Sequence, residues 1–277
     1  MELKELRSKI IAGFDSLKGN CALAFLDLSD PSNVLLINEN ESFHAASTMK
    51  TPVMIEVFKQ AHMGKFSLDD SIVVRNQFKS IVDGSYYSMA IDRDGGEGLY
   101  GFLNKKRTIR ELVYEMITVS SNLATNILIG LVDAKNVQNT MLELGAANIK
   151  VLRGVEDIKA FDMGLNNTTT AKDLMLIFEQ LANGTIVSKE DCQEMTKILL
   201  DQKFNEMIPA KLPQEVRVAH KTGSVDGIMH DSGIVMLPDG RKYILVILSR
   251  NLQDMKQAGS VLSGLSRLVY DYYTCED

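Results

Sequence analysis

Cysteine is scarce in this chain. Its 277 residues hold three, Cys21, Cys192 and Cys275. They are far apart and form no CxxC or Cys/His cluster, so no metal site and no complete disulfide framework are expected. Cys21 opens an apolar run and reads as a small core residue. Long hydrophobic stretches are also missing. No run of about 18 apolar residues occurs, so no transmembrane helix and no membrane partner are expected. Residues 1–19 mix acids and bases around a short apolar stretch and do not read as a signal peptide. The expected location is cytoplasmic if Met1 is the native start, and periplasmic or secreted if a leader has been removed. Positive charge is in deficit: 30 Lys and Arg stand against 36 Asp and Glu, a net charge of −6. Such an acidic balance gives no reason to expect nucleic acid as a partner. The one basic cluster, Lys105, Lys106, Arg107 and Arg110, reads as solvated helix-end charge. Internal repeats and low-complexity tracts are absent.

What is present is ordinary for a globular chain, with 45% hydrophobic and 24% charged residues. The length is enough for a large core in one domain or two intimate lobes. Leu3, Leu6, Ile10, Ile11, Phe14 and Leu17 recur at steps of three and four, which predicts an amphipathic helix ended by Gly19. Strands are predicted over 21–28 and 34–37, separated by Asp30-Pro31-Ser32-Asn33. From about 47 to 205 the pattern is mostly helical, with helices over 47–63, 108–115, 121–132, 136–144, 171–182 and 189–200. Two stretches, 83–101 and 153–169, lack a clear period; loops of such length are usually functional or disordered. Strands return at 215–220, 228–236 and 242–249, the last two joined across Pro238-Asp239-Gly240. A helix over 253–273 closes the chain. Consecutive strands tend to pair, so one antiparallel sheet built from both termini is expected, covered by the terminal helices. A helical lobe is inserted between them, with a site between the lobes. The methionines, fourteen in all, fall mostly at helix positions such as Met49, Met54, Met116 and Met141 and read as core filler.

Three short motifs carry candidate chemistry. The first is Ser47-Thr-Met-Lys50, followed by Thr51-Pro52 and an apolar helical run. Spacing of three places Ser47 and Lys50 on one helix face, beside the free N–H groups and positive end of the helix. Taken alone, Ser47 could equally be an N-cap and Lys50 a surface lysine. The second is Ser120-Ser121-Asn122, which alone reads as N-capping by Ser120 or Ser121. The third is Lys221-Thr222-Gly223-Ser224 at the end of a predicted strand, where Gly223 permits close backbone approach.

Together and in this order, Ser-x-x-Lys, Ser-x-Asn and Lys-Thr-Gly resemble the signature of class A β-lactamases and penicillin-recognising serine hydrolases. The resemblance runs from about residue 20 to 273. It implies a two-lobed α/β (α+β) fold of the β-lactamase and D-Ala-D-Ala-peptidase kind. The single domain would span 1–277, with an α/β lobe at 1–45 and 206–277 and an all-α lobe at 46–205. The resemblance also assigns roles. Ser47 would form an acyl-enzyme and Lys50 would accept or relay its proton. Ser120, helped by Lys221, would pass a proton to the leaving nitrogen. Asn122 would hold the substrate's side-chain amide, and Thr222 and Ser224 its carboxylate. The N–H groups of Ser47 and Ser224 would form the oxyanion hole. No metal or organic cofactor is implied. The expected partner is a small β-lactam or related acyl compound, acted on by a monomer. The chemistry makes demands of its own: a serine needs a base, and an ordinary lysine with a pKa near 10.4 must fall to about 7–8 to be one, at roughly 4 kcal/mol.

Departures from the family pattern set further expectations. A deacylating glutamate belongs in the loop before Thr168-Thr-Thr170, where the usual Glu-x-x-Leu-Asn wording is absent. Glu156 is the candidate, with a loop-pinning ion pair to Arg153 or Lys159 as the equal alternative and Asp157 as the weaker candidate. Ser121 stands where an aspartate is common. Met229-His230-Asp231-Ser232 lacks the arginine that commonly meets the substrate carboxylate; His230 is its possible substitute or a structural histidine. Tyr86 or Tyr87 would wall the site or simply pack its loop. Three functions follow: a β-lactam hydrolase, a related peptidase or esterase using the same Ser47, and a penicillin-binding sensor that acylates without release.

Overall fold

The computed structural model describes residues 1–275; the last two residues of the expected domain, 276 and 277, lie outside the described residues. Helix α1 (Leu3–Asp15) buries Leu6, Ile10 and Phe14, the predicted stripe. Strands β1 (Asn20–Asp27) and β2 (Val34–Ile37) pair antiparallel across the Asp30 turn. The short strand β3 (Phe43–His44) leads into a tight 3-10 turn, Ala46–Met49, and then α2 (Lys50–His62). Pro52 sits in the first turn of α2, where a missing N–H breaks no intrahelical bond. Short strands follow: β4 (Ser71–Val73), β5 (Phe78–Lys79), β6 (Tyr86–Tyr87) and β7 (Lys106–Thr108), with β4 paired to β7 and β5 to β6. Helix α3 (Ile109–Thr118) opens with a reciprocal cap between Thr108 and Glu111. Then come α4 (Asn122–Val132) and α5 (Ala134–Glu143). A one-turn helix not foreseen in the sequence, α6 (Ile158–Asp162), is capped by Asp157. Strand β8 (Thr168–Thr169) pairs with β3 and precedes α7 (Ala171–Asn183) and α8 (Lys189–Leu200). The chain ends in β9 (Arg217–Val225), β10 (Ile228–Met236), β11 (Lys242–Arg250) and α9 (Met255–Thr274).

The main sheet is fully antiparallel in the order β2-β1-β11-β10-β9. Strands from the two termini therefore meet at its centre, β1 against β11, as expected. The alternation of side chains splits the apolar residues between two cores. Leu23, Phe25, Leu245 and Ile247 face α1 and α9, while Ala22, Ala24, Val246 and Leu248 join the core of the middle helices. Helix α7 lies across β1, β10 and β11 on that second face.

Strand β9 corrects the sequence reading. The Lys221-Thr-Gly-Ser segment is not at a strand tip but inside the strand, which runs on to Val225. Its polar residues hide the strand from a hydrophobic pattern, yet ladder pairing with β10 continues to Val225↔Ile228. A two-residue Asp226-Gly227 loop, with Gly227 at φ +71°, closes that hairpin.

Candidate active site

The site forms where the Ala46–Met49 turn, the start of α4, strand β9 and the loop ahead of α6 converge. Ala46 holds a left-handed φ of +45°. Ser47 caps no helix, which removes the capping alternative, and it borders two clefts of about 420 and 490 Å³. Strand β9 runs hard against this turn. A Cβ on Gly223 would lie 3.1 Å from the Ser47 N and 3.2 Å from the Thr48 N. A side chain here would force the strand and the turn apart by a few tenths of an ångström, so glycine favours this close approach.

Lys50 is fully buried and not a surface lysine. Its Nζ donates to the Ser120 carbonyl oxygen (2.6 Å), to Ser120 Oγ (3.1 Å) and to Asn122 Oδ1 (2.8 Å). Burial drives its pKa down to about 7, against the attraction of Asp94 and Glu156. Lys221 is equally buried and donates to Ser120 Oγ from the other side at 3.1 Å. Burial holds its ammonium well below the ordinary lysine value, and the charge of Lys50 pushes the same way while Asp231 opposes. Coulomb repulsion is mutual, so protons leave this pair in coupled steps. Ser120 itself sits at a left-handed φ of +57°, a conformation that needs outside support. Its neighbour Ser121 is the N-cap of α4, accepting from the Ala124 N.

Glu156 pairs with neither Arg153 nor Lys159. Arg153 is spent on the loop's own oxygens, those of Leu165, Gly154 and Asn166, and Lys159 binds Asp83 and Ser85. Glu156 instead accepts from Asn122 Nδ2 at 2.9 Å and borders the same cleft as Ser47, Asn122 and Phe161. Burial raises its pKa, with the Asn122 hydrogen bond working against the rise. Asp157 is buried and structural: it accepts from Ser80 Oγ and the Ile81 N besides capping α6.

Thr222, Gly223 and Ser224 border the other cleft with Ser47 and Ser120. His230, also there, is no anion ligand. It is buried, its Nε2 is 2.9 Å from the His44 carbonyl, and its Nδ1 accepts from the Ser249 N. Burial lowers its pKa to about 4, which keeps it neutral. Tyr87 packs its loop, its OH donating to the Val155 carbonyl. Tyr86 and Tyr87 border a separate cleft with Glu156, one that does not include Ser47.

Sequence reasoning missed two residues of the irregular 83–101 stretch. Arg93 borders both clefts at Ser47. Asp94 is buried against the start of α4, its carboxylate accepting from the Asn122 N and the Leu123 N. Length and irregularity marked the stretch as functional or disordered, and nothing in the spacing ties residue 94 to residue 122.

Comparison with known proteins bears on family and fold. The model of the "Beta-lactamase enzyme family" matches residues 3–273. A β-lactamase of Bacteroides uniformis is 22% identical, with 98% of this chain and 92% of that protein covered. Among solved structures, a β-lactamase from Chitinophaga pinensis superposes with a TM-score of 0.84 at 23% identity, covering 98% of this chain and 100% of that one. The protein PBP-A superposes with a TM-score of 0.82 at 24% identity, covering 98% and 96%. The two-lobe fold type expected from the motifs is thus the fold of its structural neighbours.

Proposed function

The chain belongs to the beta-lactamase enzyme family, and from that premise we propose that it opens β-lactam rings through an acyl-enzyme on Ser47. The observation that carries the reading is the Lys50–Ser120–Lys221 chain of contacts, two buried lysines on one hydroxyl that borders the cleft with Ser47. Ser47 Oγ attacks the lactam carbonyl carbon while Lys50, with a pKa near neutrality, takes its proton. The C–N bond breaks, and Ser120 delivers a proton to the leaving nitrogen, replenished from the two lysines. Backbone N–H groups of Ser47 and Ser224 hold the oxyanion, a role supported by the close approach at Gly223. Thr222 and Ser224 take the substrate carboxylate by hydrogen bonding. Asn122 takes the side-chain amide, exchanging its 3.3 Å contact with the Arg93 carbonyl. Glu156 then activates the water that releases the acyl group, a task favoured by its raised pKa.

One observation favours a slower second step. The Asn167 amide is consumed by the loop's own backbone: Oδ1 accepts from the Leu152 and Arg153 N–H groups, and Nδ2 donates to the Arg153 carbonyl. Asn167 and Asn122 are the side-chain amides bordering the cleft with Glu156; the first is committed to its loop and Met49 and the second to Lys50, which leaves neither amide free to hold a water beside Glu156. A penicillin-binding protein that acylates and releases slowly is the second reading.

Intact mass over time after adding benzylpenicillin tests both. A transient adduct, absent in Ser47→Ala and vanishing as penicilloate accumulates, is the expected result. A persistent adduct selects the second reading. No adduct on folded protein rejects the β-lactam substrate and sends the search to esters and D-Ala-D-Ala peptides.

A further inference from the structure

Asp94 is a buried carboxylate on a loop that belongs to neither of the helices it serves. It collects five donors. Oδ1 accepts from the Gly96 N (2.8 Å) and the Asn122 N (2.9 Å). Oδ2 accepts from the Leu123 N (2.8 Å), Tyr100 OH (3.2 Å) and, weakly, Ser121 Oγ (3.4 Å). Two of these are orphan N–H groups at the start of α4, where a negative charge is favoured. The carboxylate has no arginine or lysine in ion-pair contact among the described residues, so its charge is held by the helix start and the loop alone.

The loop around it is moulded to the Ser120 turn. A Cβ on Gly95 would lie 2.3 Å from the Val119 carbonyl oxygen, and one on Gly96 would lie 2.4 Å from the Ser121 Cβ. Neither gap admits a side chain without moving backbone or a buried residue. Ser120, between Val119 and Ser121, is in its left-handed conformation and presents both its carbonyl and its Oγ to Lys50. Asn122, whose N–H Asp94 holds, supplies the third acceptor for the same ammonium. Among the described residues, every hydrogen-bond acceptor of the Lys50 ammonium therefore lies in the turn that Asp94 braces.

We infer that Asp94 is a positioning residue for this site: from 27 residues upstream its carboxylate locks the Ser120–Asn122 turn and, through it, the Lys50 ammonium. It supplies from outside the motif the acidic group that position 121 lacks. The inference rests on Lys50 and Ser120 being the proton-handling groups. The charges facing Lys50 are Asp94, Glu156 and Lys221; those near Asp94 also include Glu115. Removing the charge of Asp94 takes away an attraction that favours the Lys50 ammonium, so Lys50 should lose its proton at lower pH.

The test is Asp94→Asn, with circular dichroism to establish folding. The pH titration of Lys50 is followed by NMR on 13C-labelled lysine, and acylation by benzylpenicillin by intact mass. The Lys50 midpoint is expected to move to lower pH by on the order of one pH unit. Acylation at neutral pH should slow about 100-fold from misplacement of the turn. A second variant, Asp94→Ser with Ser121→Asp, returns a carboxylate to the start of α4. It should bring back the Lys50 midpoint and at least about tenfold of the lost rate. If Asp94→Asn does not fold, this double variant is compared with the parent alone, and a folded protein with a displaced midpoint overturns the inference. An unmoved midpoint in folded Asp94→Asn also overturns it, whatever the acylation rate. The NMR arm needs no substrate. If the parent does not react with penicillin but the midpoint moves, the substrate reading fails and the role of Asp94 stands.

Discussion

Two buried ammonium groups converge on one hydroxyl, Ser120 Oγ, which itself borders the cleft. Holding both charged is unfavourable: burial depresses both, and for Lys221 the charge of Lys50 adds to it. For Lys50, a fall from 10.5 to about 7 corresponds to on the order of 5 kcal/mol of lost ammonium stability at about 1.4 kcal/mol per pH unit. That places a neutral amine within reach near neutral pH, the condition a base must meet. Glu156 is moved in the complementary direction, upward. A glutamine there keeps the shape but cannot take a proton from water. Glu156→Gln is therefore expected to leave formation of the Ser47 adduct nearly intact and to lengthen its life by about 100-fold or more. An adduct lifetime equal to that of the parent, read by intact mass, would assign deacylation to another group. The family resemblance named Glu156 as a candidate and could not separate it from an ion pair, because the deciding partners, Asn122 for Glu156 and Asp83 for Lys159, lie far off along the chain.

Strand β9 and the Ser47 turn are the elements whose contact would set the proposed oxyanion geometry. Gly223 is the point of contact, and the atoms a Cβ would meet there are the Ser47 and Thr48 backbone nitrogens, which cannot rotate aside, and the Thr48 methyl. Gly223→Ala should push the turn and strand apart by a few tenths of an ångström. We expect acylation to slow by about 100-fold, the cost typical of a lost oxyanion donor, with little change in melting temperature. Adduct formation timed by mass, beside a thermal melt, checks this. Unchanged acylation would mean the close approach has no part in the reaction. The element also shows why its extent was misread. A run of Lys, Thr, Gly and Ser has no strand pattern, and only pairing with β10 through the Asp226-Gly227 hairpin keeps it extended.

At the scale of the molecule, one sheet serves two cores. Phe25 faces α1 and α9, where it meets Tyr243 and Tyr273, and Phe178 of α7 is buried in the opposite core. Because β1 and β11 contribute to both, losing either core should unravel the other. Phe25→Ala and Phe178→Ala are each expected to cost about 3–5 kcal/mol while urea unfolding stays a single transition. Circular dichroism and tyrosine fluorescence should give coincident midpoints. Two separated transitions in either variant would mean the sheet does not couple the cores.

The sequence by itself determined the order of the long helices and of the five main-sheet strands, the stripe of α1, the terminal strands that pair, and the three motifs that name Ser47, Lys50, Ser120, Asn122 and Lys221. These are local quantities, a period of two or 3.6 or a fixed spacing, and they survive without knowledge of neighbours. Tertiary structure alone decided that Lys50 is buried and gripped by residues 70 and 72 positions away. It also decided that His230 is a neutral core histidine, that Glu156 turns to Asn122, and that Asp94 braces the Ser120 turn. Each depends on burial and on contacts between distant segments, which no spacing along the chain encodes.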